Sequence, residues 1–477
     1  MITQSERRCS HAVVSACRRN ENVCSASHAF HADIAAWLQR LSLFAILLCF
    51  PSVAQALTLE AAFARTLGKN PKIQEARAQL EEAAGRRLIL RSIALPNAGF
   101  GIPAGVQGGK RAGEKSVQPF AFAQGGFVQP LFNAAIPASY RRGNIELLLA
   151  QQRLNVAVLE QLHTARVAFY TAAYNNSLSL VGEEQRGRLE GNYRTQTDRY
   201  AAGKADRAAV ATARLLEQEL NPRLEEFRRT YGGAILTLAQ TMGEDLGPNA
   251  QLPRPDVDLK FSRVDFDLEL ETKQALQNRA DLKLARLLVR AAAEDQRIIE
   301  AAYYPALNAT IAGTYIPISD IRRGSAGSAR RSDDIISSEA RFGGSFTWRV
   351  IDNGEVRGAV IRQKAAREIN EAVLGRLEGA VPRDLTRIQN NLRALQARHN
   401  ALSKAVVVAE QAVADVQNNL TEGLSSQLEY RTAESSFLET KASVLGITFE
   451  QHLALAEYDR VTGRYFQFSS DTSGKLH

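Results

Sequence analysis

The chain has 477 residues and a formal charge of +8, with five Lys and Arg against three Asp and Glu in its first 56 residues. Its Arg residues are scattered along helical stretches among Glu, with no dense basic tract interleaved with aromatics, so a nucleic-acid partner is not expected. A negative mean hydropathy and an aromatic share of 7% exclude a chain built of membrane-spanning helices.

Residues 1–56 have the pattern of a secretory signal with a long n-region, expected to be removed after Ala56. Arg40 precedes an apolar run from Leu41 to Phe50, followed by Pro51 and the small-residue exit Ala54-Gln55-Ala56. That run is shorter than the about 20 residues that cross a bilayer as a helix. Cys9, Cys17, Cys24 and Cys49 all lie before the exit, so the remaining chain has no disulfide framework and must gain its stability from packing or oligomerisation. Cys49 sits inside the apolar run behind the bulky Leu48, a poor position for a lipid acceptor.

The chain from residue 57 onwards repeats itself. At an offset of 209, Leu67 meets Leu276, Ile73 meets Leu282, Ala76-Arg77 meet Ala285-Arg286 and Pro96 meets Pro305. Further on, the offset grows to 220, where Gly203, Thr212-Ala213, Glu219 and Gly243 meet Gly423, Thr432-Ala433, Glu439 and Gly463. The repeats are set at 57–245 and 263–465, joined by a linker at 246–262 and followed by a tail at 466–477.

Within the first repeat, Leu59, Ala62, Phe63, Thr66 and Leu67 keep helical spacing, and Asn70-Pro71 supplies a cap and a first-turn proline for a second helix. Strands are expected at about 95–108 and 118–131, though glycine and Pro103 dilute their alternation. Long helices follow at about 134–200 and 206–242. In the second repeat the period-two pattern is clearer. Strands are expected at about 306–318 and 339–351, with Phe342, Phe346, Trp348 and Val350 on an apolar face suited to lipid. The loop from Ser319 to Ser337 between them is polar and holds Arg322, Arg323, Arg330 and Arg331. Long helices are then expected at about 354–420 and 426–462, and Pro382 inside the first of these predicts a kink or local unwinding.

Two bare hairpins cannot satisfy their own edges, so the sheet must be closed by something. Strands of about ten residues with one apolar and one polar face suit a membrane-spanning barrel that holds water. Helices of some 67 residues bury themselves only against each other, as coiled coils. Both helix pairs turn at a glycine, Gly203 after Tyr200 and Gly423 after Leu420, which can take the left-handed conformation that ends a helix. Asp206 and Ser426 are natural caps of the returning helices, and Ser426 with Glu429 forms a capping box.

This twice-repeated order of helix, strand hairpin, long helix, glycine turn and returning helix resembles the TolC-like outer membrane efflux proteins. Leu57-Thr58-Leu59-Glu60-Ala61-Ala62, Asn70-Pro71, Gln129-Pro130-Leu131-Phe132-Asn133 and Arg199-Tyr200-Ala201-Ala202-Gly203 look like that family's recurring segments. The resemblance implies a mainly α protein with a transmembrane β-barrel. It implies a homotrimer whose protomers each give four strands to a 12-stranded barrel in outer membrane lipid, continued into the periplasm as a helical tunnel. It also implies that the turns, with Tyr200, Gly203, Asp206, Leu420, Gly423, Ser426 and Glu429, form the entrance where a periplasmic adaptor docks, fed by an inner-membrane efflux pump or ABC transporter. Ala209 and Glu429 stand six residues after the turn glycines, where Asp is common in the family.

No catalytic, cofactor or metal constellation is expected. His163, His399, His452 and His477 are expected at helix surfaces or the terminus, without metal-ligand spacing. The alternative to a duct for efflux or type I secretion is a periplasmic coiled-coil scaffold, which has no use for an apolar strand face.

Overall fold

The computed structural model describes residues 57–108, 117–244, 254–255, 257–318 and 338–464. The expected signal segment, the polar loops with Arg322, Arg323, Arg330 and Arg331, and the tail with His477 lie outside the described residues.

Each repeat opens on a pair of short helices, α1 (Leu59–Lys69) and α2 (Pro71–Ser92) in the first, α5 (Leu268–Asn278) and α6 (Ala280–Glu300) in the second. Asn70 ends α1 and starts α2. Its side chain accepts from the amides of Lys72 and Ile73 at 2.9 and 3.4 Å and donates to Gln161 Oε1 at 3.1 Å and to the Thr241 carbonyl at 2.7 Å. One residue thus caps a helix and ties it to two others. The second repeat has Arg279 there, with no side-chain cap; its guanidinium pairs with Asp281 instead.

Among the described residues the strands are β1 (Asn97–Gly101), β2 (Ala104–Gly108), β3 (Val117–Phe132), β4 (Ala306–Ile318) and β5 (Ser338–Thr347), all antiparallel to their neighbours. The expected single strand at 95–108 is broken in two, because Pro103 has no amide to give to β3. Its carbonyl still accepts from Phe122 at 3.1 Å. With β1 and β2 in one line, the order is β1/β2, β3, β4, β5.

The expected strand at 339–351 stops at Thr347, which pairs with Ala306. The next partner would be Pro305, again without an amide, so the ladder ends there. Trp348 and Val350 therefore lie beyond the strand. The indole of Trp348 donates to the Tyr303 carbonyl at 3.1 Å.

The long helices are α3 (Ala135–Ala201), α4 (Arg207–Met242), α7 (Glu355–Glu422) and α8 (Gln427–Thr462). At 67 residues, α3 extends about 100 Å. It packs against α1, α2, α4, α6 and α8, whereas α7 packs against α5, α6 and α8. Pro382 lies inside α7 without interrupting it, so the expected unwinding does not occur. Pro222 lies inside α4 in the same way.

Among the described residues, apolar clusters run along the helices. One gathers Val381, Leu385, Ile388 and Leu395 with Leu282 and Tyr458. Another, near the turns, holds Leu216, Leu220 and Leu224 with Leu420, Tyr430 and Phe437. None of the described helices is long and apolar enough to cross a membrane.

Candidate channel and docking sites

The register divides the sheet into two unlike faces. On one, Ala98, Phe127, Ile311 and Phe342 lie in a row across four strands, with Phe100 on β1 and the pair Leu307 and Phe346 further along β4 and β5. Phe342 is 77% exposed and Phe346 66%. The other face carries Gln124, Asn308, Thr310, Thr314, Ser345, Arg341 and Glu339, with Phe120, Phe122 and Val128 of β3 among them. There Asn308 bonds Ser345 at 3.4 Å and Arg341 pairs with Glu339. Such an apolar face has no partner among the described residues, and the outer edges of β1 and β5 have none either.

At the far end of the helices, each glycine turn closes as its left-handed residue allows. Gly203 has φ +71° and Gly423 +87°. The Lys204 amide reaches back to the Arg199 carbonyl at 2.8 Å and the Leu424 amide to Asn419 at 2.8 Å, which satisfies carbonyls left over at the helix ends. Asp206 accepts from the Ala209 amide at 2.7 Å. Ser426 accepts from the Glu429 amide at 3.3 Å, and the Glu429 carboxylate accepts from the Ser426 amide at 2.9 Å.

Tyr200 is half-exposed, but Leu420 is buried in the core beneath the turn. Its side chain is therefore not a docking surface, contrary to expectation. The exposed apolar residues there are Leu424 and Leu428, and Leu428 lines a shallow groove of about 430 Å³ with Ala409, Ala412, Thr432 and Ala433.

The two turns are joined by Arg199, whose guanidinium donates to the carbonyls of Leu420 and Lys204. Just above, Asn192 donates to Gln427 at 3.1 Å. Next comes a buried polar network. Glu434, 1% exposed, accepts from Arg188 at 2.9 and 3.3 Å and from the Tyr430 hydroxyl at 3.1 Å. Arg188 and Lys441 both reach Glu184, at 2.8 and 2.6 Å. The hydrogen bond from Lys441 leads the effects that hold the Glu184 carboxyl below the ordinary glutamate range. Burial, joined by the charge of Glu434, pushes the Tyr430 hydroxyl well above the ordinary tyrosine value, so it remains a donor. Sequence spacing gave no sign of this network, because its members are brought together from α3 and α8 across 246 residues.

His163, His399 and His452 are half-buried rather than on the surface. His452 stacks on Tyr170 at 4.4 Å between ring centres and His399 on Phe261 at 3.9 Å. Burial leads the lowering of the pKa of all three, which keeps them neutral at pH 7.

Residues 272–464 match the family model for outer membrane efflux proteins. The second repeat belongs to the outer membrane efflux protein family. The first half of the chain, outside that match, has the same order of elements. No curated protein sequence matches the chain significantly. Among solved structures, the chain is similar to the outer membrane protein VceC from Vibrio cholerae at 18% identity and a TM-score of 0.70, covering 85% of this chain and 96% of that one. It is similar to the Campylobacter jejuni CmeC outer membrane channel at 14% and 0.70, covering 86% and 89%. It is similar to the open state of the Neisseria gonorrhoeae MtrE outer membrane channel at 17% and 0.66, covering 85% and 88%. At such identities the likeness establishes the fold: a mainly helical chain with a small sheet, as in outer membrane channels.

Proposed function

We propose that the chain is a passive exit duct of a tripartite efflux or type I secretion system, set in the outer membrane and reaching into the periplasm. Three copies would each give four strands to one 12-stranded barrel, and the long helices would continue it as a tunnel. The observation that carries this reading is the sheet: one face is apolar and exposed, the other is polar along β4 and β5, and both outer edges await partners. Lipid on the apolar face, water on the polar face and a second copy at each edge would satisfy all three. A periplasmic scaffold leaves Phe342 and Phe346 unexplained.

No covalent step is assigned to any residue. Cargo delivered by an inner-membrane pump through a periplasmic adaptor would diffuse out, the energy being supplied by the pump. The turns with Tyr200, Gly203, Asp206, Gly423, Ser426 and Glu429 would be the entrance where the adaptor docks. A Gly423→Leu chain, strained at φ +87°, should lose adaptor capture and efflux together, and normal efflux by that variant would remove the turn from the docking surface.

The barrel itself is tested by the mass in detergent of protein extracted from outer membranes, together with conductance in a planar bilayer. Three chains and stable open channels are expected. A water-soluble monomer or dimer that never enters the membrane would leave the scaffold.

A further inference from the structure

Two phenylalanines of β3, Phe120 and Phe122, stand on the same face of the sheet as Gln124 and Thr314. Their ring centres are 6.0 Å apart, as expected of alternate residues on one side of a strand. β3 runs from Val117 to Phe132, just before α3 begins, so the rings lie about 30–40 Å along the strand from its helical end. That is the half of the sheet farthest from the helices. Phe120 pairs with Gly105 of β2, where a Cβ would fall 3.2 Å from the Phe120 ring. The missing side chain leaves room for the ring to lie across β2, as aromatic residues do over glycine at a sheet edge. The Phe122 amide is held by the Pro103 carbonyl at 3.1 Å.

The second repeat carries different chemistry at the same two positions. At an offset of 219, Ala121, Gly125 and Phe127 of β3 meet Ala340, Gly344 and Phe346 of β5, and Phe120 and Phe122 meet Glu339 and Arg341. In β5 the pair is ionic, Arg341 donating to the Glu339 carboxylate at 2.8 Å, as suits a wall in contact with water. In β3 it is aromatic. Rings meant for lipid belong on the opposite face with Phe127 and Phe342, whereas these stand two strands from an ion pair, about 10 Å across the sheet. Both are only partly buried.

We propose that Phe120 and Phe122 form an aromatic track on the water-facing wall at the duct's outer mouth, a binding site that stacks planar aromatic amphiphiles as they leave. This deepens the duct reading above and rests on it. Three copies would each set two rings around the mouth, alternating with the pairs of Glu339 and Arg341. The rings take the flat apolar body of such a molecule in offset or edge-to-face contact. Its charged group stays in water beside the ion pairs, which keep the wall wet between the rings. An aliphatic molecule of the same charge gains burial on the rings but not that contact, so the duct itself sorts cargo by planarity.

The test is the current through single channels of protein extracted from outer membranes, in a planar bilayer, with naphthalene-2-sulfonate or hexanesulfonate added. The two anions have the same charge, but one is planar and aromatic and the other aliphatic. In the parent, the aromatic anion is expected to interrupt the current for longer than the aliphatic one. Phe120→Leu together with Phe122→Leu keeps apolar side chains on the wall. That variant is expected to shorten the aromatic interruptions roughly threefold or more and to leave the aliphatic ones unchanged. Val128→Ala, on the same face but between Asn97 and Thr310 nearer the helices, is expected to change neither. Open parent channels in which both anions dwell equally, or aromatic interruptions that survive the double leucine change, would overturn the track and leave the duct. A parent chain that forms no channel would overturn the duct reading and the track with it.

Discussion

At the scale of single residues, Arg188 and Glu434 decide how firmly α3 and α8 are joined near the turns. A carboxylate that is 1% exposed is tolerable only because three donors surround it: two nitrogens of Arg188 and the Tyr430 hydroxyl. Truncating the arginine leaves a buried charge with one neutral donor, a change that costs about 3–5 kcal/mol when a buried pair is broken from one side. Arg188 is itself a quarter exposed, so the lower end of that range is expected. Arg188→Met should therefore lower the temperature at which helical circular dichroism is lost, and should open the turn region to limited proteolysis. The double variant with Glu434→Met should recover much of the loss, since an apolar pair removes the stranded charge. Equal melting of Arg188→Met and the parent would mean that the network is solvated and contributes little.

At the scale of elements, glycines that look alike in sequence differ in what surrounds them. Gly203 and Gly243 both have φ +71°, yet a Cβ on Gly203 meets nothing within 4 Å while one on Gly243 falls 2.5 Å from the Lys69 carbonyl oxygen. Gly203→Ala should cost only the left-handed strain of about 1–2 kcal/mol. Gly243→Ala adds an overpacked backbone contact of about 1–3 kcal/mol more, so its melting point should fall distinctly further. Equal losses would show that α1 moves aside freely. What sequence reveals here is local chemistry: the caps at Asn70, Asp206 and Ser426, the glycine turns and the period-two alternation around Phe342 all act within a few residues of themselves. Where reading fails, the cause is a partner distant in the chain. The strand after Thr347 fades because Pro305 stands opposite Trp348, and Leu420 turns inward because α8 covers it. Of the kink or unwinding expected at Pro382, the unwinding is missing, and Val381, Leu385 and Ile388 around it pack into one apolar cluster.

At the scale of the whole molecule, the question is which face of the sheet meets lipid. Phe342 and Thr310 sit on neighbouring strands at nearly the same height, Phe342 opposite Ile311 and Thr310 opposite Gly343, but they point to opposite faces. A barrel makes opposite demands of the two. Arginine in place of Phe342 would put a charge into hydrocarbon, at about 2–4 kcal/mol near the bilayer midplane and less towards the interface. Arginine in place of Thr310 would enter a water-filled lumen beside Arg341, changing its charge with little effect on stability. Phe342→Arg should thus reduce the amount of folded protein recovered from outer membranes, while Thr310→Arg should assemble normally and shift the channel's ion selectivity towards anions in a planar bilayer. The reverse pattern would place the polar face outside and the aromatic face within, and no membrane-spanning arrangement of this sheet could then stand.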